Sequence, residues 1–373
     1  MTRGRSRALP GLVWLAIVSG ARTGRADEAA PARPPTYPLV LLVQGDADLA
    51  SQPAGPQDPQ DPPAGPALRL RRVRVGEDVS VGDLRVRAVA EALPDTAAGT
   101  PFPPLTGGRL PFGGPVRVTE AFVGWAPGRA FQIDGGVLRV PFSLSRQLDE
   151  ADLRLPERAP FADAFLPDFR PGVAAGGDLG ALLYRAAFLS ADTALDRHLA
   201  GAGGFGAARL WAEPLGPVGS TPWRRDPRDP WYGWFRFAAG VSVLYGTLAA
   251  PRTLAVDPDF QAQWRNLVVT AEYLFAVRYA SGTEVAPGST EQGAVVEPGV
   301  TLASRHLDLV ARADWERAGG ADLWGAGAGL TAYGPDPRLR LSAGFEHRWG
   351  QALTPGYGPG SYWAIVRLTV VAD

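Results

Sequence analysis

The chain has 373 residues, a formal net charge of −1, 46 glycines and 36 prolines. Cysteine is absent, which excludes a disulfide framework and a thiolate metal site. Lysine is absent as well, so the basic charge is arginine. The three histidines are scattered along the sequence and mark no metal cluster, and a near-neutral balance leaves no footprint for nucleic acid.

Residues 1–26 read as a secretory signal peptide. Arg3, Arg5 and Arg7 form its basic start, and Leu9 to Val18 is an apolar core too short for a spanning helix. Cleavage near Ala26 removes Arg22 and Arg25 too, leaving a mildly acidic mature chain. Residues 27–36 are Ala/Pro-rich and read as a flexible lead-in. No later apolar run reaches the length of a membrane-spanning helix.

From residue 37 to residue 373 the pattern is that of strands. Tyr37 to Asp48 is the first, followed by a Pro/Gln/Asp/Gly loop from Ala50 to Pro66. Leu68 to Val75 is the second, and Gly76-Glu77-Asp78 reads as a turn into Val81 to Ala92. There Leu84, Val86, Ala88 and Ala90 alternate with Arg85, Arg87 and Glu91, a period of two. After a loop from Pro94 to Pro115 come Val116 to Trp125, a tight Pro127-Gly128 turn and Phe131 to Phe142. A long loop, Ser143 to Asp168, precedes the return at Phe169 and the run Leu179 to Leu189. Phe205 to Glu213, Trp231 to Gly246, Phe260 to Trp264 and Leu267 to Tyr279 follow. Gln292 to Ala303, His306 to Glu316, Asp322 to Tyr333, Arg338 to Arg348 and Ser361 to Ala372 complete the set.

About sixteen strands, tight links on one side and long loops on the other fit an all-β, transmembrane antiparallel β-barrel of the bacterial outer membrane. The link from Leu215 to Pro230 is long for a periplasmic turn. Apolar faces run the length of strands, as in Phe235, Phe237, Ala239, Val241, Val243 and Tyr245. Trp125, Trp211, Trp231, Trp264, Trp315, Trp349 and Tyr362 sit at strand ends, as interfacial girdles do. A soluble β-sandwich would also alternate, but its opposite face would not need this mixture of arginine and carboxylate, which suits a wet lumen.

Several short runs carry a family resemblance. Glu120-Ala121-Phe122-Val123, Val137 to Phe142, Glu157-Arg158, Phe169-Arg170-Pro171-Gly172, Leu68 to Arg74 and Thr270-Ala271-Glu272-Tyr273 resemble motifs of the phosphate-selective porin O and P family. The resemblance covers most of the chain after the leader. It implies a homotrimeric sixteen-strand porin in outer-membrane lipid that passes small anionic solutes. The filter of that family is rich in lysine, which this chain lacks, so its phosphate-binding residues have no counterpart to carry over.

A pore acts through its diameter and the charge of its lining. The lumen-wall candidates are Arg85, Arg87, Arg236, Glu272, Arg278, Arg312, Asp314, Arg340 and Glu346. Glu91 and Arg348 share those faces. The third outer loop, 143–168, is expected to fold inward, with Arg146, Asp149, Glu150, Arg154, Glu157 and Arg158 at the constriction. The expected function is a water-filled diffusion channel for small hydrophilic solutes, with an anion or phosphate preference. The alternative is a closed structural or adhesive barrel acting through its outer loops. No cofactor or metal is expected. Gly201-Ala202-Gly203-Gly204 matches a phosphate loop in glycine content alone. A Ser–His–carboxylate site needs a positioned histidine, and His347 lies on the opposite strand face from Ser342 and Glu346.

Overall fold

The computed structural model describes residues 39–51, 65–92, 116–148, 153–156, 158, 159, 161, 169–191, 203–215, 218, 234–247, 252–281, 284–302, 306–334, 339–350 and 362–372. The expected leader and lead-in lie outside these residues, as do Asp149, Glu150, Glu157 and His198.

The strands are β1 (Leu39–Ser51), β2 (Gly65–Val81), β3 (Leu84–Ala92), β4 (Val116–Gly128), β5 (Phe131–Arg139), β6 (Phe169–Asp178), β7 (Leu182–Ser190) and β8 (Gly204–Ala212). They continue as β9 (Phe235–Thr247), β10 (Arg252–Trp264), β11 (Leu267–Ser281), β12 (Glu284–Leu302), β13 (Leu307–Ala318), β14 (Ala321–Tyr333), β15 (Leu339–Gly350) and β16 (Tyr362–Ala372). A short helix, α1 (Leu144–Gln147), follows β5. Each strand pairs with its sequence neighbours, and β1 closes the ring on β16, with Gln44 opposite Thr369. Closure removes the free edges that an open sheet would expose. No helix among the described residues is long and apolar enough to cross a membrane; the barrel crosses with strands.

Successive side chains of a strand point to opposite faces, and here the two faces differ in chemistry. On β9, Phe235, Ala239, Val241, Val243 and Tyr245 are exposed on the outside, while Arg236, Ala238, Ser242 and Leu244 are buried inside. On β13, Asp308, Arg312, Asp314 and Glu316 all turn inward. Aromatic residues mark two levels of the outer surface. Trp315, Trp324 and Trp349 lie in register across β13, β14 and β15 near one rim. Trp264 and Phe235 pair near the other rim, where Trp125 also stacks edge-on against Phe131.

Three local expectations are corrected. Gly76-Glu77-Asp78 is no turn but part of β2, and the chain turns at Gly82-Asp83. A Cβ at position 76 would lie 2.3 Å from the Ala88 carbonyl oxygen, so this glycine serves close strand pairing. The turn expected at Pro127-Gly128 falls at Arg129-Ala130. The strand expected to begin at Phe260 begins at Arg252 and carries Asp257-Pro258-Asp259 through its middle. Pro258 sits on the exposed face, and both carboxylates point inward. The rim holding both barrel ends carries the tight links Gly82-Asp83, Arg129-Ala130 and Arg265-Asn266, the periplasmic habit, although the opposite rim also has one at Gly319-Gly320.

Candidate pore

The chain leaves the wall after Arg139 and enters the barrel. Ser143 adopts a left-handed φ of 66° and caps α1, its side chain accepting from the Arg146 backbone N–H at 3.3 Å. The root of the loop is tied to distant strands. The Ser143 backbone N–H donates to Ser242 Oγ of β9 at 3.1 Å. Glu272 of β11 accepts from the hydroxyls of Ser143 and Ser145, and from the Ser145 backbone N–H at 3.1 Å. Beneath it, Leu138, Val140, Phe142 and Phe161 join inward residues of β7, β8, β9, β11 and β12, among them Leu189, Phe205, Leu244, Leu274 and Val295, in one buried apolar cluster.

Farther along, the loop reaches the opposite strands. Thr331 of β14 donates to the Arg154 carbonyl at 3.2 Å, and Arg367 of β16 donates to the Pro156 carbonyl. Arg158 donates to the carbonyls of Ser145 at 2.9 Å and Leu148 at 2.7 Å, closing the loop on itself. Arg146, Arg154 and Arg158 are all buried; Arg158 holds the loop through its side chain, and Arg154 is held through its carbonyl.

Around the seated loop the wall is dense with buried ion pairs. Arg312 bridges Glu297 and Glu346, both at 2.6 Å. Arg348 meets Asp314 at 3.0 Å and Glu346 at 3.4 Å. Arg209 meets Asp259 at 2.5 Å and lies 5.0 Å above the Trp211 ring. Trp211 is therefore inside the barrel, not part of an outer girdle. Arg236 and Arg340 are also inward and buried, as are Glu272 and Asp314. Arg278 pairs with Glu291 at 2.8 Å and stays half-exposed near the end of β11.

On β2 to β7 the same residue types are arranged differently. Asp78 accepts from both Arg85 and Arg87, the second at 2.9 Å. Glu120 joins Arg87 to Arg139, the second at 3.5 Å, and Arg139 donates to the Gln147 carbonyl of α1 at 2.9 Å. A chain of ion pairs and hydrogen bonds thus runs from Arg85 near the periplasmic rim to the root of the loop. Arg185 meets Asp134 at 2.7 Å. In two of these pairs the cation faces water and the carboxylate is covered: the Arg85 side chain is 43% exposed against 12% for Asp78, and Arg185 is 32% exposed against 7% for Asp134. Arg85 also lies 5.5 Å over the Phe122 ring, which fixes its direction.

All nine wall residues singled out by alternation lie on the inward face. The sequence reading missed Asp78, Asp134, Asp257, Asp259 and Arg209. Asp78 and Asp257-Asp259 sat in stretches whose Gly, Asp and Pro content resembles a turn. Arg209, in the expected strand Phe205 to Glu213, was legible by its parity with the buried Ala207. His347 is on the outer face, its ring stacked on Trp349 at 5.8 Å, away from Ser342 and Glu346.

An apolar outside with two aromatic belts, a charged inside and an inward loop define an outer-membrane β-barrel of the porin type. Comparison with solved structures gives the same fold. The chain is similar to OmpF of Salmonella typhi, solved in complex with daunomycin, with 12% identity and a TM-score of 0.59 over 90% of this chain and 97% of that one. It is similar to an anion-selective porin from Comamonas acidovorans, with 9% identity and a TM-score of 0.56 over 91% and 100%. It is also similar to the trimer form of OmpT, an outer membrane protein of Vibrio cholerae, with 11% identity and a TM-score of 0.54 over 90% and 99%. No family model and no curated protein matches the sequence. The chain is a bacterial outer-membrane barrel, and the likeness to these porins is one of fold.

Proposed function

We propose that this chain is an outer-membrane porin, a water-filled channel for small hydrophilic solutes with a preference for anions. One observation carries the reading. The loop is seated against the β9–β16 side, and on the β2–β7 side Arg85 and Arg185 expose their heads to water while their carboxylate partners are covered, whereas Arg72 and Arg74 are buried against Glu91. A solute passing that wall meets positive charge even though the ion pairs are nearly balanced in number. Low-dielectric walls focus such a field.

The filter of this reading is Arg85, Arg87 and Arg185 on the wall. Arg146, Arg154 and Arg158, expected at the constriction, are buried, and the side chain of Arg158 anchors the loop. A phosphate preference is the finer version of the proposal. Arginine can hold an oxyanion bidentately, but tight sites slow release and conduction needs weak ones. The reading therefore favours general anion passage over a phosphate-specific filter. Assembly as a homotrimer follows the family resemblance, and mass measurement of the detergent-solubilised protein tests it.

The decisive experiment is reconstitution of folded, heat-modifiable protein into a planar bilayer. Stepwise conductance is expected, with a reversal potential of anion-preferring sign in a potassium chloride gradient. Absence of steps from folded protein would reject the channel in favour of a closed barrel acting through its outer loops. A cation-preferring sign would reject the filter and keep the channel.

A further inference from the structure

Many inward glycines line this barrel, and they fall into two kinds. At Gly136 and Gly172 an added Cβ would strike the backbone of the next strand, 2.1 Å from the Ala121 oxygen and 2.2 Å from the Phe188 oxygen. Those glycines belong to the sheet. At Gly293, Gly299 and Gly344 the atoms an added Cβ would crowd belong to the loop. They are the Phe161 ring carbon Cγ at 2.5 Å, Arg154 Nη2 at 2.1 Å and Pro156 Cδ at 2.8 Å. Gly329 is mixed, with Leu155 Cδ2 at 2.5 Å and the Ala343 oxygen at 2.8 Å. None of these four has a left-handed φ, so backbone conformation does not demand glycine there.

The strand register places three of them in one line. Gly299 of β12 pairs with Val310 of β13, Val310 with Gly329 of β14, Gly329 with Gly344 of β15, and Gly344 with Ile365 of β16. The row runs across the strands, which lie about 4.8 Å apart. Arg154, Leu155 and Pro156, consecutive in sequence, lie over Gly299, Gly329 and Gly344 in that order. The carbonyls of Arg154 and Pro156 are held at the same place by Thr331 and Arg367.

We propose that Gly299, Gly329 and Gly344 form a transverse groove that seats Arg154-Leu155-Pro156, with Gly293 as a separate socket for Phe161. The groove sets how far the loop is withdrawn into the wall, and hence the width of channel left beside the exposed arginines. The inference rests on the porin reading and goes beyond it, because it assigns channel size to wall residues that touch no solute. A side chain added at the row pushes the segment toward β2–β7.

The test uses the full-length protein. Gly344→Val is expected to fold, as heat-modifiable mobility reports, and to lower single-channel conductance about twofold, since pore diameter governs passage. Adding Pro156→Gly, which removes the ring that the valine strikes, should restore conductance. Gly135→Ala is the control, because nothing lies within 4 Å of a Cβ there. Trypsin supplies a readout independent of conduction: Arg154 and Arg158 are buried in the parent and should resist cleavage unless the segment is displaced. A rise in conductance with new cleavage at these arginines would mean that the segment has left the groove, which also supports the proposal. Conductance and digestion like the parent's, or a loss that Pro156→Gly does not rescue, would overturn it. Where Gly344→Val does not fold, Gly344→Ala with and without Pro156→Gly asks the same question. If the unsubstituted protein itself does not conduct, the porin reading fails, and trypsin resistance still tests the groove.

Discussion

Two sides of one lumen use the same arginine–carboxylate vocabulary to opposite ends. Under the loop, the Arg312 and Arg348 side chains are each 2% exposed, and their partners are covered with them. On the open side, Arg85 and Arg185 project into water from carboxylates that stay behind, with Arg87 less exposed at 21%. The difference teaches that charge composition does not assign a role to a lining residue; exposure does. A buried pair is strongly coupled and costly to break, whereas an exposed one contributes little to stability but keeps its field available to solutes. One side holds the loop, and the other is the side a solute would meet in the proposed channel.

The sharpest way to break this comparison is to remove one cation from the covered side. Arg312→Ala leaves Glu297 and Glu346 facing each other without their shared partner. Loss of a buried partner typically costs about 3–5 kcal/mol, so a clear drop in the denaturant midpoint in detergent is expected. If Arg312→Ala unfolds at the parent's midpoint, the covered side is not the structural half. The next effect down concerns the root of the loop. Glu272→Gln replaces a carboxylate that accepts from two serine hydroxyls and one backbone N–H. Hydrogen bonds to a charged group are worth about 1.5–3 kcal/mol each, so local loosening near Ser145 is expected. Faster trypsin cleavage after Arg146, with the barrel still heat-modifiable, is the sign to look for. Unchanged cleavage would shift the anchoring role to the apolar cluster around Phe142 and Phe161.

Much of the barrel is legible from alternation because a strand's two faces meet two solvents. The faces of β3, β9, β11 and β13 follow directly from their period of two. Turn chemistry misled where a strand interior borrowed turn residues. Gly76 is required by close approach to Ala88 and Val89, and Asp78 by its two arginines. Pro258 is tolerated because the β10–β11 ladder skips Asp257 and Pro258, so its missing N–H breaks no pairing with β11. The role of the loop arginines was not legible for a different reason. Whether Arg154 faces water depends on Gly299 and Thr331, far away in sequence and brought near only by ring closure. A glycine row spanning β12 to β15 is likewise visible only once register is known.

A smaller effect is expected on the open side. Replacing Arg85, Arg87 and Arg185 with glutamine removes three positive charges and leaves Asp78, Glu120 and Asp134 on the wall. Exposed pairs typically contribute under about 1 kcal/mol each, so the midpoint should shift much less than for Arg312→Ala. The reversal potential should move toward cation preference, and the change should shrink at molar salt, where screening shortens to about 3 Å. An unchanged reversal potential at low salt would remove these residues from the filter.

The smallest effect is also the most pointed, because it runs in the opposite direction. Asp78 is mostly covered and accepts from both Arg85 and Arg87. Asp78→Asn keeps an oxygen acceptor of similar size and removes one negative charge behind two exposed cations. If the open side acts through its net field, deleting that charge strengthens the positive potential over the wall, and the reversal potential moves further toward anion preference. If the side acts instead through the placement of the arginine heads, loosening their shared carboxylate lets them swing, and anion preference falls. The two outcomes differ in sign, so a single low-salt gradient measurement separates them. The field account predicts the first, with Asp78→Asn and Arg85→Gln displaced to opposite sides of the parent. Displacement of both variants to the same side would show that geometry, not summed charge, sets selectivity here.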